Sequence, residues 1–482
     1  MTTENFIELL KQIQNIKCET QILELKSAGK GCPKRLYDTL SSFSNQDDGG
    51  ILVFGIDEEN DYAESGVYDP QDLQKKIAEQ CLQMEPPVRP LITVLRKDGR
   101  NFVAAEIPGM DLVERPCYYK GQGRLKGSFT RVGDNDQPMT EYEIYSYEAF
   151  RRKYQDDIRT VPRAASSALS HEKLAEYVQK LRSGKPNLSH LPEQNIYELM
   201  SITRDGEFTL STVMLFGLYP QAYFPQLCIT AIVVPGREIG TVGDLGERFL
   251  DNERIEGSIP EMLNGALQFV RRNMKTKAII HPDSGIREDR MDYPMTAIRE
   301  TIVNALVHRD YSMHTEGMPI QILMFEDRME IHNPGGIYGR LRIDQLGKMQ
   351  PDTRNPVLAA ALEVAGITEN RYSGIPTIRR EFAQLGMREP EFSSERGHFV
   401  VTFYKEILAS AKDTPAYNAD IANLLLFCQT PRTRKEICDY LGLSSTSYAM
   451  QVYVMPLVEQ GLIHLSIPDK PKSTKQLYYS NK

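Results

Sequence analysis

Apolar residues recur along this chain at two periods, and the change of period divides it into units. Between Ile22 and Ile144 short apolar runs alternate with turns. "GGILVFGID", "PLITVLRKDG", "RNFVAAEIPG" and "GSFTRVGD" have the spacing and residue types of strands, and "CPKRLYDTLSSFS" those of a helix. This predicts an α+β domain over residues 1–150. "RRKYQDDIRTVPRAASSALS" (151–170) is charged, then small and polar, as a linker passing into a helix would be. A second mixed segment, roughly 195–277, holds "TVMLFGLYP" and "LCITAIVVPG" as predicted strands and "IPEMLNGALQFVRRN" as a helix. From Tyr293 to Tyr404 the pattern runs helix, strands within "MPIQILMFEDRMEIHNPGG", helices, and a closing strand "HFVVTFY". The last stretch is helical and ends in a hairpin. The expected division is 1–150, a linker and α/β connector over 151–289, a module over 290–408 and a small domain over 415–482.

One helix departs from a plain amphipathic pattern. In "RETIVNALVHRDYS", Glu300, Asn304 and His308 share one edge, while Ile298, Ile302 and Leu306 occupy the other side. A solvated edge would account for the stripe alone. A carboxylate one turn from a carboxamide also suits nucleotide chemistry, because an amide oxygen can ligate Mg²⁺ among phosphate oxygens and a carboxylate can orient water. Two further elements point the same way. "FEDRMEIHNPGG" ends in Asn333, Gly335 and Gly336, where the backbone can turn sharply and admit a ligand. "RYSGIPTIRREF" places Gly374 at the start of a helix whose N-terminal amides could cradle phosphate.

Taken together, "IRETIVNALVHRDY", "DRMEIHNPGG", "TRNPVLAAALEVAG" and "YSGI" resemble, over about residues 290–404, the divergent GHKL-type ATPase module of proteins labelled RecG-like transcriptional regulators. The resemblance implies ATP and Mg²⁺ as cofactors, with Asn304 as the metal ligand and Glu300 as the water-activating carboxylate if ATP is hydrolysed. It sets Asn333 where relatives carry an Asp that reads the adenine amino group, with Gly335 and Gly336 continuing the loop. An Asn can accept that hydrogen bond through its oxygen. Tyr372 stands where relatives often have Gly. His308 and Arg309 are candidates to touch phosphate, with capping of the helix end as the alternative.

Near the N-terminus, "ETQILELKS" and "SFSNQDDGGILVFGIDEEN" supply Glu19, Glu24, Lys26, Asn45, Gly49, Gly50, Gly55, Asp57 and Glu58. With "MEPPVRP" and "GSFTRVGD" they resemble the Schlafen AlbA-like domain over about residues 16–145. Two readings follow. In the first, the domain binds DNA or RNA through "YYKGQGRLKGSFTR", whose Lys120, Arg124, Lys126 and Arg131 lie beside two tyrosines. In the second, Glu19, Glu24 and Glu58 gather a divalent metal beside Lys26 for phosphodiester cleavage, as in nuclease members of that family. An ion pair with Lys26 is the structural alternative. The C-terminal order of helix, turn at Gly442, Ser-capped helix and hairpin resembles a winged helix-turn-helix, with Tyr448 and Gln451 on the recognition-like helix and Lys470, Lys472 and Lys475 in the wing.

Composition sharpens this picture by exclusion. At 482 residues the chain exceeds one ordinary core. No apolar run nears the roughly 18 residues of a membrane span, and "MTTENFIELLKQIQN" lacks the features of a secretory signal, so a cytoplasmic protein is expected. Seven scattered cysteines with no C-x-x-C pair argue against a disulfide framework or zinc knuckle. A net charge of -8 means that any nucleic-acid site is local. No G-x-x-x-x-G-K-[ST] occurs, which excludes a helicase motor, and "HRDY" lacks the kinase Asn, Thr315 standing at its position. The leading expectation is an ATP-binding, DNA-binding transcriptional regulator in which nucleotide modulates nucleic-acid binding, with a homodimer implied by the resemblance to GHKL modules. The alternatives are an ATP-gated nuclease and a protein-interaction scaffold with a decayed ATP site.

Overall fold

The computed structural model describes residues 1–280, 287–368, 373–395, 397–405, 423–441, 446, 450–459, 461–467 and 476–480. All four strands expected before residue 145 form. Three of them join Leu23–Lys26 in a four-stranded sheet, ordered Leu23–Lys26, Gly50–Phe54, Arg100–Ile107, Leu91–Lys97, with the first pair parallel and the others antiparallel. Both faces are covered, which explains the unbroken apolar runs at its centre. Leu52 and Phe54 point into one core with Leu40, Phe43, Leu73 and Ile77 from the helices Tyr37–Ser44 and Pro70–Leu82. Val53, between them, points into the opposite core with Phe6, Leu10 and Ile13, which line one face of the Thr3–Ile16 helix.

A six-stranded sheet forms the middle of the chain, in the order Asp251–Ile255, Ile229–Val233, Ile320–Met324, Arg328–Pro334, His398–Tyr404, Glu391–Glu395. Two of its strands come from the segment expected to be a connector. Ile229–Val233 runs parallel to Ile320–Met324, and the chain between them carries the helices Ile259–Asn273 and Met295–His308. The first is closed at its start by a capping box between Ser258 and Glu261.

One expected strand is a helix. The first half of "TVMLFGLYP" belongs to the helix Leu210–Phe216, which starts at a Thr209 side chain that accepts from Thr212 N and has all seven residues buried. A short run buried on every side shows no periodicity, so the apolar pattern could not separate helix from strand; the Thr209 cap decides it. The stretch expected as a linker is also anchored. Asp157 is fully buried, and its Oδ2 accepts from the backbone N–H groups of Val357 and Leu358 at 2.9 and 3.0 Å, capping the Pro356–Ala365 helix.

Nearly all residues of these elements belong to one compact unit, Met1–Met274 with Ile298–Ile378 and Glu391–Thr402; a second unit holds Lys275–Ala297, Arg379–Pro390 and Phe403–Lys482. In the second, Thr276–Ile280 pairs antiparallel with Arg287–Met291. Its C-terminal part has the helices Arg434–Tyr440 and Met455–Glu459 and a short antiparallel pair, His464–Leu465 with Tyr478–Tyr479, around Leu424, Cys428, Ile437, Val454, Leu457 and Tyr478. Gly442, Tyr448, the Gln451 side chain, Lys470, Lys472 and Lys475 lie outside the described residues, as does Tyr372. Among the described residues no helix is long and apolar enough to cross a membrane.

Candidate nucleotide site and nucleic-acid face

The Met295–His308 helix buries Ile298, Ile302 and Leu306 and leaves Glu300 and Asn304 half-buried on the opposite edge. Asn304 Nδ2 donates to Glu300 Oε1 at 3.3 Å, which leaves the amide oxygen to serve as a metal ligand. Gly374 opens the Gly374–Gln384 helix directly against this pair: a Cβ there would stand 2.3 Å from Glu300 Oε1 and 2.9 Å from Asn304 Nδ2. A side chain at 374 would displace the ends of Glu300 and Asn304. A carboxylate and a carboxamide of one helix and the start of another, later in the chain, therefore meet at one place.

The turn after Arg328–Pro334 sits at the end of the same helix. Asp310 N donates to Pro334 O at 2.9 Å. Gly335 has φ +103, and a Cβ there would meet Asp310 Cβ at 2.7 Å and Arg354 Nη1 at 2.8 Å. Asn333 is 4% exposed, and its Oδ1 has no hydrogen-bond partner among the described residues. A buried amide oxygen without a donor is costly, and an adenine amino group is a donor of the right kind to satisfy it. The residues present thus suit a magnesium nucleotide: a buried acceptor unsatisfied among the described residues, an amide oxygen of a kind that can ligate a metal, and a helix N-terminus.

Arg309 requires a correction. Its side chain turns inward, 2% exposed, and Nη2 donates to the carbonyls of Thr315, at 2.9 Å, and Met318. It braces the loop after the helix and is not presented to a phosphate; His308, one residue earlier, is exposed. Three neighbours from the quoted motifs, Asp310, Arg354 and Asn355, are not among the candidate site residues. Asp310 Oδ2 pairs with Arg354 Nη1 at 2.6 Å, and both side chains are nearly sealed from solvent. Burial works to raise the Asp310 carboxyl, but the Arg354 charge, the Ser312 N–H and the Tyr142 hydroxyl outweigh it and hold it below its ordinary range. Asn355 Nδ2 donates to Val307 O and Arg309 O at 2.8 and 2.7 Å, satisfying carbonyls at the helix end. The Asn-Pro step that begins the next helix was the available hint.

In the N-terminal domain Glu19 and Glu24 do come together, but around a cation of the chain itself. The Arg131 guanidinium, 1% exposed, lies 2.8 Å from Glu24, 3.0 Å from Asp136 and 4.0 Å from Glu19, and Lys26 pairs with Glu24. Arg131 is thus a buried structural cation and not part of a phosphate-facing surface, which corrects its expected role. Among the described residues no group of three or more His, Cys, Asp or Glu is placed to hold a metal ion. Glu58 is exposed and accepts from the Tyr62 hydroxyl at 3.3 Å. Of the remaining basic candidates, Lys126 is exposed, Lys120 lies 3.3 Å from Glu85, and Arg124 pairs with Glu148 and sits over the Tyr118 ring. Tyr119 stacks on Tyr37 with centroids 3.8 Å apart, so that face of its ring is already taken.

Burial first, then repulsion from Glu24 and Glu58, push the Glu19 carboxyl up to about 7, against the Leu25 N–H and Lys26. A carboxyl raised on folding keeps a proton that the unfolded chain has released. Its contribution to stability is therefore complete below the unfolded pKa of about 4.3 and is lost as pH rises through 7. The urea midpoint of the wild type is expected to fall over that window relative to Glu19→Gln; parallel pH profiles for the two proteins would refute the assignment.

Three segments of the chain match family models. Residues 19–140 match the family model described as "Schlafen, AlbA_2", residues 317–403 the one described as "Putative ATP-dependent DNA helicase recG C-terminal", and residues 419–479 the one described as "Filamentation induced by cAMP protein Fic-like, C-terminal domain". Among solved structures, the DIP2311 protein of Corynebacterium diphtheriae is 17% identical, covering 99% of this chain and 97% of its own, with a TM-score of 0.41. The N-terminal domain of a RecG-related protein from Nitrosomonas europaea is 27% identical, covering 28% of this chain and 92% of its own, with a TM-score of 0.23. No curated protein matches. The matched models describe a nucleic-acid-related protein with an ATPase-like module, a kind of module that binds nucleotide generally with Mg²⁺. The chain thus carries a Schlafen AlbA_2 region over residues 19–140, followed by a region over residues 317–403 that matches the RecG C-terminal HATPase model.

Proposed function

We propose that this protein is an ATP-binding transcriptional regulator, in which nucleotide held beside the Met295–His308 helix modulates DNA binding by the N-terminal domain. The observation that carries the reading is the convergence of Glu300 and Asn304 on the Gly374 helix start. In this assignment Asn304 Oδ1 holds the metal, Asn333 Oδ1 accepts from the base, the turn at Gly335 and Gly336 gives the base close access, and the Gly374 helix start faces the phosphates. Magnesium, when bound, neutralises phosphate charge. Glu300 is positioned to orient a water near the phosphates. Lys120, Arg124 and Lys126 supply the basic face for DNA, and residues 415–482 a second contact.

A ligand that prefers the native state raises its stability by mass action, about 2.7 kcal/mol at a hundredfold excess over Kd. ATP with Mg²⁺ is therefore expected to raise the melting temperature of the wild type, and Asn304→Ala to abolish most of that rise while keeping its own transition in buffer. An equal rise in the variant would remove Asn304 from the site. No rise in either protein would overturn the reading.

A further inference from the structure

Resting on that reading, we infer that Tyr142 couples the nucleotide turn to the N-terminal domain, acting through the helix Glu141–Arg152. Hydrogen bonds fasten the turn at Gly335 and Gly336 on both sides. Asp310 N holds Pro334 O at 2.9 Å, Gly335 N donates to Gly397 O at 2.7 Å, and Arg354 Nη2 donates to Gly336 O at 3.3 Å. Tyr142 touches two of the residues that make them. Its hydroxyl donates to Asp310 Oδ2 at 2.7 Å, and its ring lies so close to Gly397 that a Cβ there would stand 2.7 Å from it. One side chain of the N-terminal domain thus reads both sides of the turn.

Two turns later on the same helix, Phe150 grips the segment that follows the turn. Its ring meets Tyr338 edge-on at 5.4 Å and lies 5.7 Å below the Arg340 guanidinium, while Tyr338 in turn lies 5.0 Å below Arg354. Displacement of the turn by a bound base would therefore act on this helix at two points. There is room for such movement. A cleft of about 460 Å³ separates Gly339–Arg342 from Asp47, Gly109–Leu112 and Arg115.

Between these two anchors the helix carries Glu148, whose carboxylate holds Arg124 of the basic stretch. Arg124 Nη1 is held by Glu148, so the position of Glu148 sets where the rest of the guanidinium can meet a nucleic-acid phosphate. Nucleotide at the turn and DNA at Arg124 therefore compete for, or jointly favour, positions of one rigid helix. Coupling of this kind is reciprocal and commonly reaches about 5-fold or more in affinity.

The test is Tyr142→Phe, which removes the hydroxyl and keeps the ring. Binding of a fluorescent duplex DNA is measured at low salt, with and without saturating ATP and Mg²⁺, alongside the nucleotide-induced thermal shift. The inference expects the wild-type DNA Kd to change about 5-fold or more on adding nucleotide, and the change to fall close to 1-fold in the variant, whose own nucleotide-induced shift persists. A variant that keeps the wild-type ratio overturns the role of Tyr142 and leaves the functional reading standing. A wild type whose melting shifts with nucleotide but whose DNA Kd does not change overturns both the coupling and the modulation.

Discussion

Arg354→Ala is expected to destabilise the protein by about 3–5 kcal/mol, the range typical of removing one partner from a buried ion pair. The reason is what remains. Asp310 would keep the Tyr142 hydroxyl at 2.7 Å and the Ser312 N–H at 2.9 Å, but its charge would be left in the interior without a cation. The damage would also spread to the turn, since Arg354 donates to Gly336 O and packs on Tyr338. Urea unfolding of the wild type and of the Arg354→Ala variant measures the loss directly. Asp310→Asn in the Arg354→Ala background should recover part of it, because a neutral amide is less costly to bury than a carboxylate. Equal stability of all three proteins would show the pair to be incidental to the fold.

Arg131→Ala is expected to cost a comparable amount, about 3–5 kcal/mol, because it removes the cation from among Glu19, Glu24 and Asp136. Asp136 also accepts from Thr39 and Ser42, so the loss would loosen the contact between the Tyr37–Ser44 helix and the hairpin Phe129–Val132 with Asn135–Pro138. The same variant separates two roles for the residue. A phosphate-binding arginine would change the salt dependence of DNA binding and leave stability nearly untouched. A structural arginine lowers the unfolding midpoint and leaves the salt slope of the folded protein unchanged. Burial of Arg131 requires the second outcome; the first would show that the side chain leaves its pocket to reach DNA.

Local pattern was enough to place many elements, and its failures share a cause. The fourfold spacing of Glu300, Asn304 and His308 puts them on one helix edge whatever surrounds the helix. Alternation of Leu52, Val53 and Phe54 likewise sends neighbours to opposite faces of the sheet. In Leu210–Phe216 every residue is buried, so the signal that separates helix from strand is absent. Arg131 and Arg309 illustrate a second limit. An arginine in a basic or loop-like stretch has the same sequence signature whether its guanidinium meets solvent or a nest of carboxylates and carbonyls.

By itself, the order of residues determined the strands and helices that carry periodicity, the polar edge of the Met295–His308 helix, and the glycine positions at 335 and 374, because these depend on backbone geometry and on near neighbours. Tertiary structure alone decided that Gly374 meets Glu300, that Asp157 caps a helix 200 residues away, and that Tyr142 reaches Asp310 across 168 residues. Such meetings are set by how sheets and helices stack. No local period encodes which side chain lies across an interface, and burial there converts a polar residue into a structural one.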